Sequence, residues 1–219
     1  MSKSPALYEF DRRMVGAQGA LVGIDEAGRG PLAGPVVAGA VILDLNDPIE
    51  GVNDSKKLSA AKRDTLFEQI TTRAVAFATG LATVEEIDEH NILQATFLAM
   101  RRAVAQIKVQ WTLALVDGNL TVPGLPDTQL TVVGGDATSA SIAAASILAK
   151  VTRDRMMEAC HVQFPGYEFD QHKGYGTERH RNLVRTLGLC AAHRKTFCSS
   201  LAAEQTHMDF GAPVLQEDA

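Results

Sequence analysis

The chain lacks the marks of several protein classes. Its three cysteines, Cys160, Cys190 and Cys198, are an odd set with no CxxC pair. They argue against a disulfide framework or a zinc cluster and read as plain reduced thiols. No apolar run is long enough to span a bilayer, and the N-terminal stretch (Met1-Ser2-Lys3-Ser4-Pro5, then Tyr8 to Arg13) lacks the apolar segment of a secretion signal. The expectation is a soluble, cytoplasmic protein with no membrane partner. Internal repeats, low-complexity tracts and obvious linkers are also missing. Positive charge is in deficit, with 21 Lys and Arg against 26 Asp and Glu and a net charge of -5. Taken alone, that balance argues against nucleic acid.

The distribution of charge weakens this objection. Acids gather in Glu85-Glu86-Ile87-Asp88-Glu89 and at Glu217-Asp218, and others are candidates for a metal site. Basic residues cluster at Lys56-Lys57, Arg101-Arg102, Lys173, Arg179-His180-Arg181 and His193-Arg194-Lys195. Any one cluster reads as a solvated face, and only their gathering beside an acidic cleft would make a binding surface. The 219 residues, 46% of them hydrophobic, suffice for one substantial core.

The most informative stretch is Gly23-Ile24-Asp25-Glu26-Ala27-Gly28-Arg29-Gly30-Pro31-Leu32-Ala33-Gly34-Pro35. Leu21, Val22 and Ile24 read as a buried strand that delivers Asp25 and Glu26 to a cleft. Two buried carboxylates are costly unless a cation neutralises them. Gly28 and Gly30 permit close approach and free amides for an anion, and Arg29 adds a fork of donors suited to phosphate. The same logic recurs twice. Thr112 to Val116 is a short apolar run closed by Asp117-Gly118-Asn119, and Leu130 to Val133 leads into Gly134-Gly135-Asp136. Three strand ends thus carry acids. An all-oxygen set without neighbouring His or Cys suits Mg²⁺ or Mn²⁺ and metal-assisted hydrolysis. The acids also have duller readings, Asp136 as a helix cap and Asp117 as a turn residue, while Asp154, a rival for the fourth acid, lies about four turns into the helix and reads as an ion-pair or supporting residue.

Strands are expected near 20–26, 35–43 and 74–81, the first two as a hairpin. Ser59 opens a helix, Thr83 and Glu86 have capping-box spacing, and residues 91–107 carry apolar positions at helical spacing. The Ala-rich stretch from about Thr138 to Glu158 is the longest helix, its small residues suited to close packing on a sheet, and another runs from Thr177 to Leu187. This order indicates an α/β layered fold with a mixed sheet.

These motifs resemble those of the bacterial ribonuclease HII family, the type 2 ribonucleases H. So do Asn53 to Ser59, Asp88 to Leu93, Ala143 to Asp154 and His172-Lys173-Gly174-Tyr175-Gly176-Thr177, and all occur in the family's order from Val22 to Phe197. The resemblance implies a ribonuclease H-like mixed five-stranded sheet flanked by helices, with a C-terminal helical extension. Residues 1–18 would be an N-terminal arm, 19–200 the catalytic domain and 201–219 a flexible tail. It also implies that Asp25, Glu26, Asp117 and Asp136 bind the metals. Gly28, Arg29 and Gly30 would read a 2′-hydroxyl, and Tyr175 would pack on the sugar at an RNA-to-DNA junction. Lys56, Lys57, Lys173 and Arg194 are phosphate candidates.

The implied substrates are RNA–DNA hybrids and duplex DNA holding single ribonucleotides, cut by a monomer that needs no protein partner. The products would carry 3′-hydroxyl and 5′-phosphate ends. A DNA-specific nuclease, a silent hybrid-binding module and a small-molecule phosphohydrolase are the competing readings. Two positions depart from the family pattern: Gly134 stands where lysine is frequent, and Thr196 where serine is common.

Overall fold

A computed structural model describes residues 4–16, 19–126 and 128–201. Within these residues two compact units are distinguished, one lying within 4–29 and 35–155, the other within 30–34 and 156–201. Leu201 is buried, and the remainder of the expected 201–219 tail lies outside the described residues.

The first unit opens with helix α1 (Ser4–Val15), followed by the hairpin of β1 (Leu21–Ala27) and β2 (Val36–Ile42). Helix α2 (Ala60–Arg73), β3 (Ala76–Ala82) and α3 (Val84–Ala105) come next. The chain then runs through β4 (Leu113–Asp117), β5 (Gln129–Val132) and the long helix α4 (Ala140–Gln163). The sheet has five strands in the order β3-β2-β1-β4-β5. Pairing is antiparallel from β3 to β1 and parallel from β1 to β5, so the mixed sheet is present.

Glycines set how closely the helices approach. A Cβ at Gly23 would stand 2.2 Å from the Ser141 carbonyl carbon, and one at Gly39 would stand 2.4 Å from the Ala145 carbonyl oxygen. Small residues one turn apart on α4 therefore lie against glycines on adjacent strands, as the Ala-rich composition predicts. Thr79 is the register partner of Gly39, so Gly80 faces the opposite side, where a Cβ would meet the Ala99 carbonyl of α3 at 2.3 Å. The two sheet faces are thus covered by α4 and α3.

The segment expected as a polar arm is different. Residues 4–15 form α1, with Leu7 and Tyr8 in the same apolar cluster as Val41, Ala144 and Leu148. The Tyr8 hydroxyl accepts the Ile49 N–H at 2.8 Å, and the buried Asp11 carboxylate accepts the Ser141 N–H at 2.8 Å, at the start of α4. Exposed neighbours such as Glu9, Arg12 and Arg13 give the segment its polar look.

Thr83 and Glu86 form the expected capping box. The helix over 91–107 is also there, joined to the first by a break at Asn91, where φ is 67°. The Asn91 side chain accepts the N–H groups of Leu93 and Gln94, capping the second segment.

In the second unit, the end of α4 is followed by α5 (Phe169–His172) and α6 (Glu178–Leu187). Thr177 caps α6 by accepting the His180 N–H, and Gly188 ends it with φ of 80°. Met157, Tyr167 and Phe169 make its core together with Ala33. All three cysteines are free thiols. Among the described residues, no helix is long and apolar enough to cross a membrane.

Candidate active site and family membership

The register of the sheet explains the acid cluster. Ile24 pairs with Val116 in the parallel β1–β4 ladder, so Asp25 and Asp117 leave the sheet side by side. Gly118 has φ of 101° and turns the chain directly after the acid. Asp136 sits in a short 3-10 turn (Gly135–Ala137) that begins after Gly134, whose φ is 65°. The Gly135 N–H donates to Asp117 Oδ1 at 2.7 Å, tying that turn to the end of β4. Asp25 and Asp136 are buried, while Glu26 and Asp117 are partly exposed.

Electrostatics bind these side chains into one site. Burial drives the Asp25 carboxyl well above its ordinary range, and the charges of Glu26 and Asp117 push it further. Burial also raises Glu26, against the pull of Arg29, whose guanidinium lies 3.4 Å from Glu26 Oε1. Asp136 is raised by burial and by Asp54 and Asp117. Lys56 Nζ lies 3.5 Å from Asp136 Oδ2. Partial burial pulls the Lys56 ammonium down, but Asp136, Asp25 and Asp54 together raise it.

Among the described residues, no three Asp, Glu, His or Cys side chains stand together as a ready-made metal cage. The donor set nonetheless fits a hard cation. It is all oxygen, and three of its four members are held away from their charged state by burial and by one another.

Several supporting residues carry no signal that pattern reading isolates. Ser146 of α4 gives its hydroxyl to Asp25 and shares a 2.8 Å hydrogen bond with Ser55. Asp54 accepts the Lys56 N–H at 2.9 Å and pairs with Lys57 at 3.3 Å, so the 54–57 turn is internally fastened. Buried Arg153 donates from Nε to the Pro35 carbonyl at 3.0 Å. A Cβ at Gly28 would be 2.1 Å from that Nε. The close approach expected at Gly28 is therefore made by Arg153 of the protein itself.

The remaining predicted residues belong to the second unit. A Cβ at Gly30 would meet nothing within 4 Å, so the fold leaves room there. Tyr175 is 42% exposed, and its neighbour Gly174 has φ of 83°. Lys173 Nζ is held by Glu158 at 2.8 Å and by the Asp170 carbonyl at 2.7 Å. Arg194, expected as a surface phosphate contact, is instead fully buried: its Nε donates to the Gly34 carbonyl at 2.9 Å and its guanidinium covers the Phe197 ring. A basic run in sequence does not distinguish a framework arginine from a ligand-facing one.

Comparison with known proteins decides among the competing readings. The family model for ribonuclease HII matches residues 22–200. The chain belongs to the ribonuclease HII family. It is 55% identical to the ribonuclease HII of Endomicrobium trichonymphae over 192 residues, 87% of this chain and 91% of that protein. It is 56% identical to that of Burkholderia pseudomallei over 194 residues, covering 88% and 87%. Among solved structures, the ribonuclease H2 of Pyrococcus horikoshii OT3 superimposes with a TM-score of 0.72 at 26% identity, covering 85% of this chain and 99% of that one. Family membership makes the chain an endoribonuclease of the ribonuclease H type, acting on RNA–DNA hybrids. The ribonuclease HII match includes all four acids and both glycine-rich segments, and it leaves α1 outside.

Proposed function

We propose that this endoribonuclease cuts both the RNA strand of hybrids and the 5′ side of single ribonucleotides embedded in duplex DNA, leaving 3′-hydroxyl and 5′-phosphate ends. Its role is removal of ribonucleotides from DNA. Asp25, Glu26, Asp117 and Asp136 would hold Mg²⁺ or Mn²⁺. The observation that carries this reading is that Asp25, Glu26 and Asp136 are each raised first by burial and also by the charge of Asp117 beside them, a cost that a bound divalent cation would relieve. With the four carboxylates holding two such ions, the chemistry supplied would be activation of a water and neutralisation of the departing oxygen.

The chain's own groups do the rest. Ser146 and the Glu26 N–H hold the Asp25 carboxylate in one orientation, the latter at 2.7 Å from Oδ1. The Gly135 N–H does the same for Asp117. Arg29 and Lys56 keep positive charge beside acids that must accept a phosphodiester. Arg29 and the open backbone at Gly30 are read as the 2′-hydroxyl reader. Fixed backbone groups discriminate strongly there, because a deoxy sugar leaves them unpaired. Exposed Tyr175 is read as the sugar-packing residue at an RNA-to-DNA junction. Lys57 and Lys173 are read as phosphate contacts. The enzyme is read as a cytoplasmic monomer that requires no protein partner.

The test is cleavage of a DNA duplex containing one ribonucleotide, with Mg²⁺ or Mn²⁺ added and both product ends mapped. A cut 5′ to the ribonucleotide, with a 3′-hydroxyl left on DNA, is the expected result. Cleavage confined to long hybrids would remove the single-ribonucleotide activity from the reading.

A further inference from the structure

Three histidines of the second unit meet beneath the segment that carries Tyr175, and the metal chemistry makes no use of them. His180 Nε2 and His193 Nε2 are 3.0 Å apart, and the His172 ring stacks on that of His180 at 4.2 Å. His180 and His193 are fully buried.

Backbone groups at both ends fix the protons. His180 Nδ1 lies 2.9 Å from the Tyr175 carbonyl oxygen, which can only accept, so Nδ1 carries a hydrogen and Nε2 is bare. At the other end the Cys190 N–H, which can only donate, points to His193 Nδ1 at 3.0 Å, so that nitrogen is bare and Nε2 carries the hydrogen. The two assignments agree at the shared contact: His193 Nε2–H donates to His180 Nε2. The order runs in one direction, from the Cys190 amide through both imidazoles to the Tyr175 carbonyl. His172 is fixed likewise, accepting the Gly174 N–H at Nδ1 and donating from Nε2 to the Tyr167 carbonyl.

The two loops joined by this chain also hold a third. His193 forms an isolated β-bridge with Ala33, Arg194 N–H donates to the Leu32 carbonyl, and Leu32 N–H donates to the Gly174 carbonyl at 2.9 Å. A Cβ at Gly174 would stand 2.5 Å from the Ala33 carbonyl oxygen, so the contact has no slack.

We propose that His180 and His193 are positioning residues for substrate discrimination, a two-imidazole strut that fixes the Tyr175 backbone relative to the Gly30–Gly34 segment. This rests on the reading of Tyr175 as the sugar-packing residue. The strut works only with both rings neutral, since one extra proton would set N–H against N–H at one of its contacts.

The experiment has two arms on the full chain. Side-chain ¹⁵N NMR near neutral pH should find His180 as the Nδ1–H tautomer and His193 as the Nε2–H tautomer; the reverse pairing for either ring overturns the proposal. The second arm measures kcat and KM on a duplex with one ribonucleotide and on a uniform hybrid for His180→Ala, His180→Asn, Tyr175→Ala and the His180→Ala/Tyr175→Ala pair. His180→Ala should lower kcat/KM on the single-ribonucleotide duplex by roughly 3- to 10-fold, the worth of one lost hydrogen bond, with less effect on the hybrid. His180→Asn, which keeps a donor near Nδ1, should recover part of the loss. In the Tyr175→Ala background, His180→Ala should cost nothing further.

A full additional loss in that background, or equal losses on both substrates, overturns the strut. If Tyr175→Ala itself does not distinguish the substrates while the tautomers are as assigned, the sugar-packing reading fails and the strut remains as architecture alone. Should His180→Ala fail to fold, His193→Leu replaces it, since it removes the donor to His180 Nε2 and should give the same substrate-selective loss. His193→Gln, whose amide can donate from near the Nε2 position, should then recover part of it.

Discussion

Asp117 Oδ1 accepts the Gly135 N–H at 2.7 Å, so the acid that ends β4 also anchors the turn bearing Asp136. One carboxylate oxygen is thus structural, and under the proposed metal-binding role the other would be left for chemistry. Asp117→Asn keeps an oxygen at the structural position and should fold normally, with cleavage reduced at least about a hundredfold. Asp117→Ala should also lose about 1 kcal/mol of stability, the net worth of the hydrogen bond. Urea denaturation beside hybrid cleavage separates the two effects; equal stability of the two variants would remove the anchoring role.

Asp25 works against the fold that carries it. Burial first, then Glu26 and Asp117, raise its carboxyl. The native state therefore binds its proton more tightly than the unfolded chain does. Stability at this site is present below the unfolded carboxylate value and is lost as pH rises toward the elevated native one. Asp25→Asn should abolish cleavage while raising the melting temperature at pH 7 in the presence of a chelator. A lowered melting temperature would show that the carboxylate is held by compensating contacts.

The imidazole strut has the opposite sign. Burial is the first cause that lowers both His180 and His193, to about 4 from the ordinary 6.5. The groups facing the pair are His172, Cys190 and the rings of Tyr167 and Phe169. The unfolded chain takes up protons first as pH falls, so stability is full above 6.5 and drains between 6.5 and about 4. Between pH 7 and pH 5 the loss should be about 2 kcal/mol per ring. Denaturation of wild type against a His180→Asn/His193→Gln variant isolates it from the acids, and parallel pH profiles would count against the buried neutral pair.

Gly28 and Gly30 should respond differently to one methyl group. Gly28 has φ of 98° and faces Arg153, so Gly28→Ala should cost about 1–3 kcal/mol of stability. Gly30 faces open space, so Gly30→Ala should change stability by less than about 0.5 kcal/mol. Hybrid affinity, measured by fluorescence anisotropy in Ca²⁺, should nevertheless weaken if that space belongs to the substrate. Unchanged affinity would assign Gly30 no role in binding.

Sequence pattern reached the framework because strands and helices here follow period and capping rules closely. The Thr83–Glu86 box, the Ser59 and Thr177 caps and the run from Leu113 to Val116 are local signals, and each marks an element in the structure. Helix α1 gives a weak pattern because its fully buried positions among the described residues are Leu7, Tyr8 and Asp11, one of them a carboxylate, while Phe10, Met14 and Val15 are only partly buried. The burial of Arg194 is not legible either, because a buried arginine and a phosphate-facing one present the same local pattern. Ser146 and the histidine strut depend on partners far along the chain, Ser55 for the first and the 190–193 loop for the second. No local window contains both halves of such contacts.

The Gly30–Gly34 segment has a temporal consequence. Its partners lie at the far end of the chain, with Arg194 Nε bonded to the Gly34 carbonyl across 160 residues. On the ribosome, the acids of β1 emerge early, but the segment immediately after them stays without its partners until the last part of the chain is made. Closing so long a loop is a late step in folding. A nascent or truncated chain would hold Asp25 and Glu26 without a settled Gly30, so on the proposed reading of that glycine, discrimination between sugars would be acquired only once the segment around Arg194 has been made.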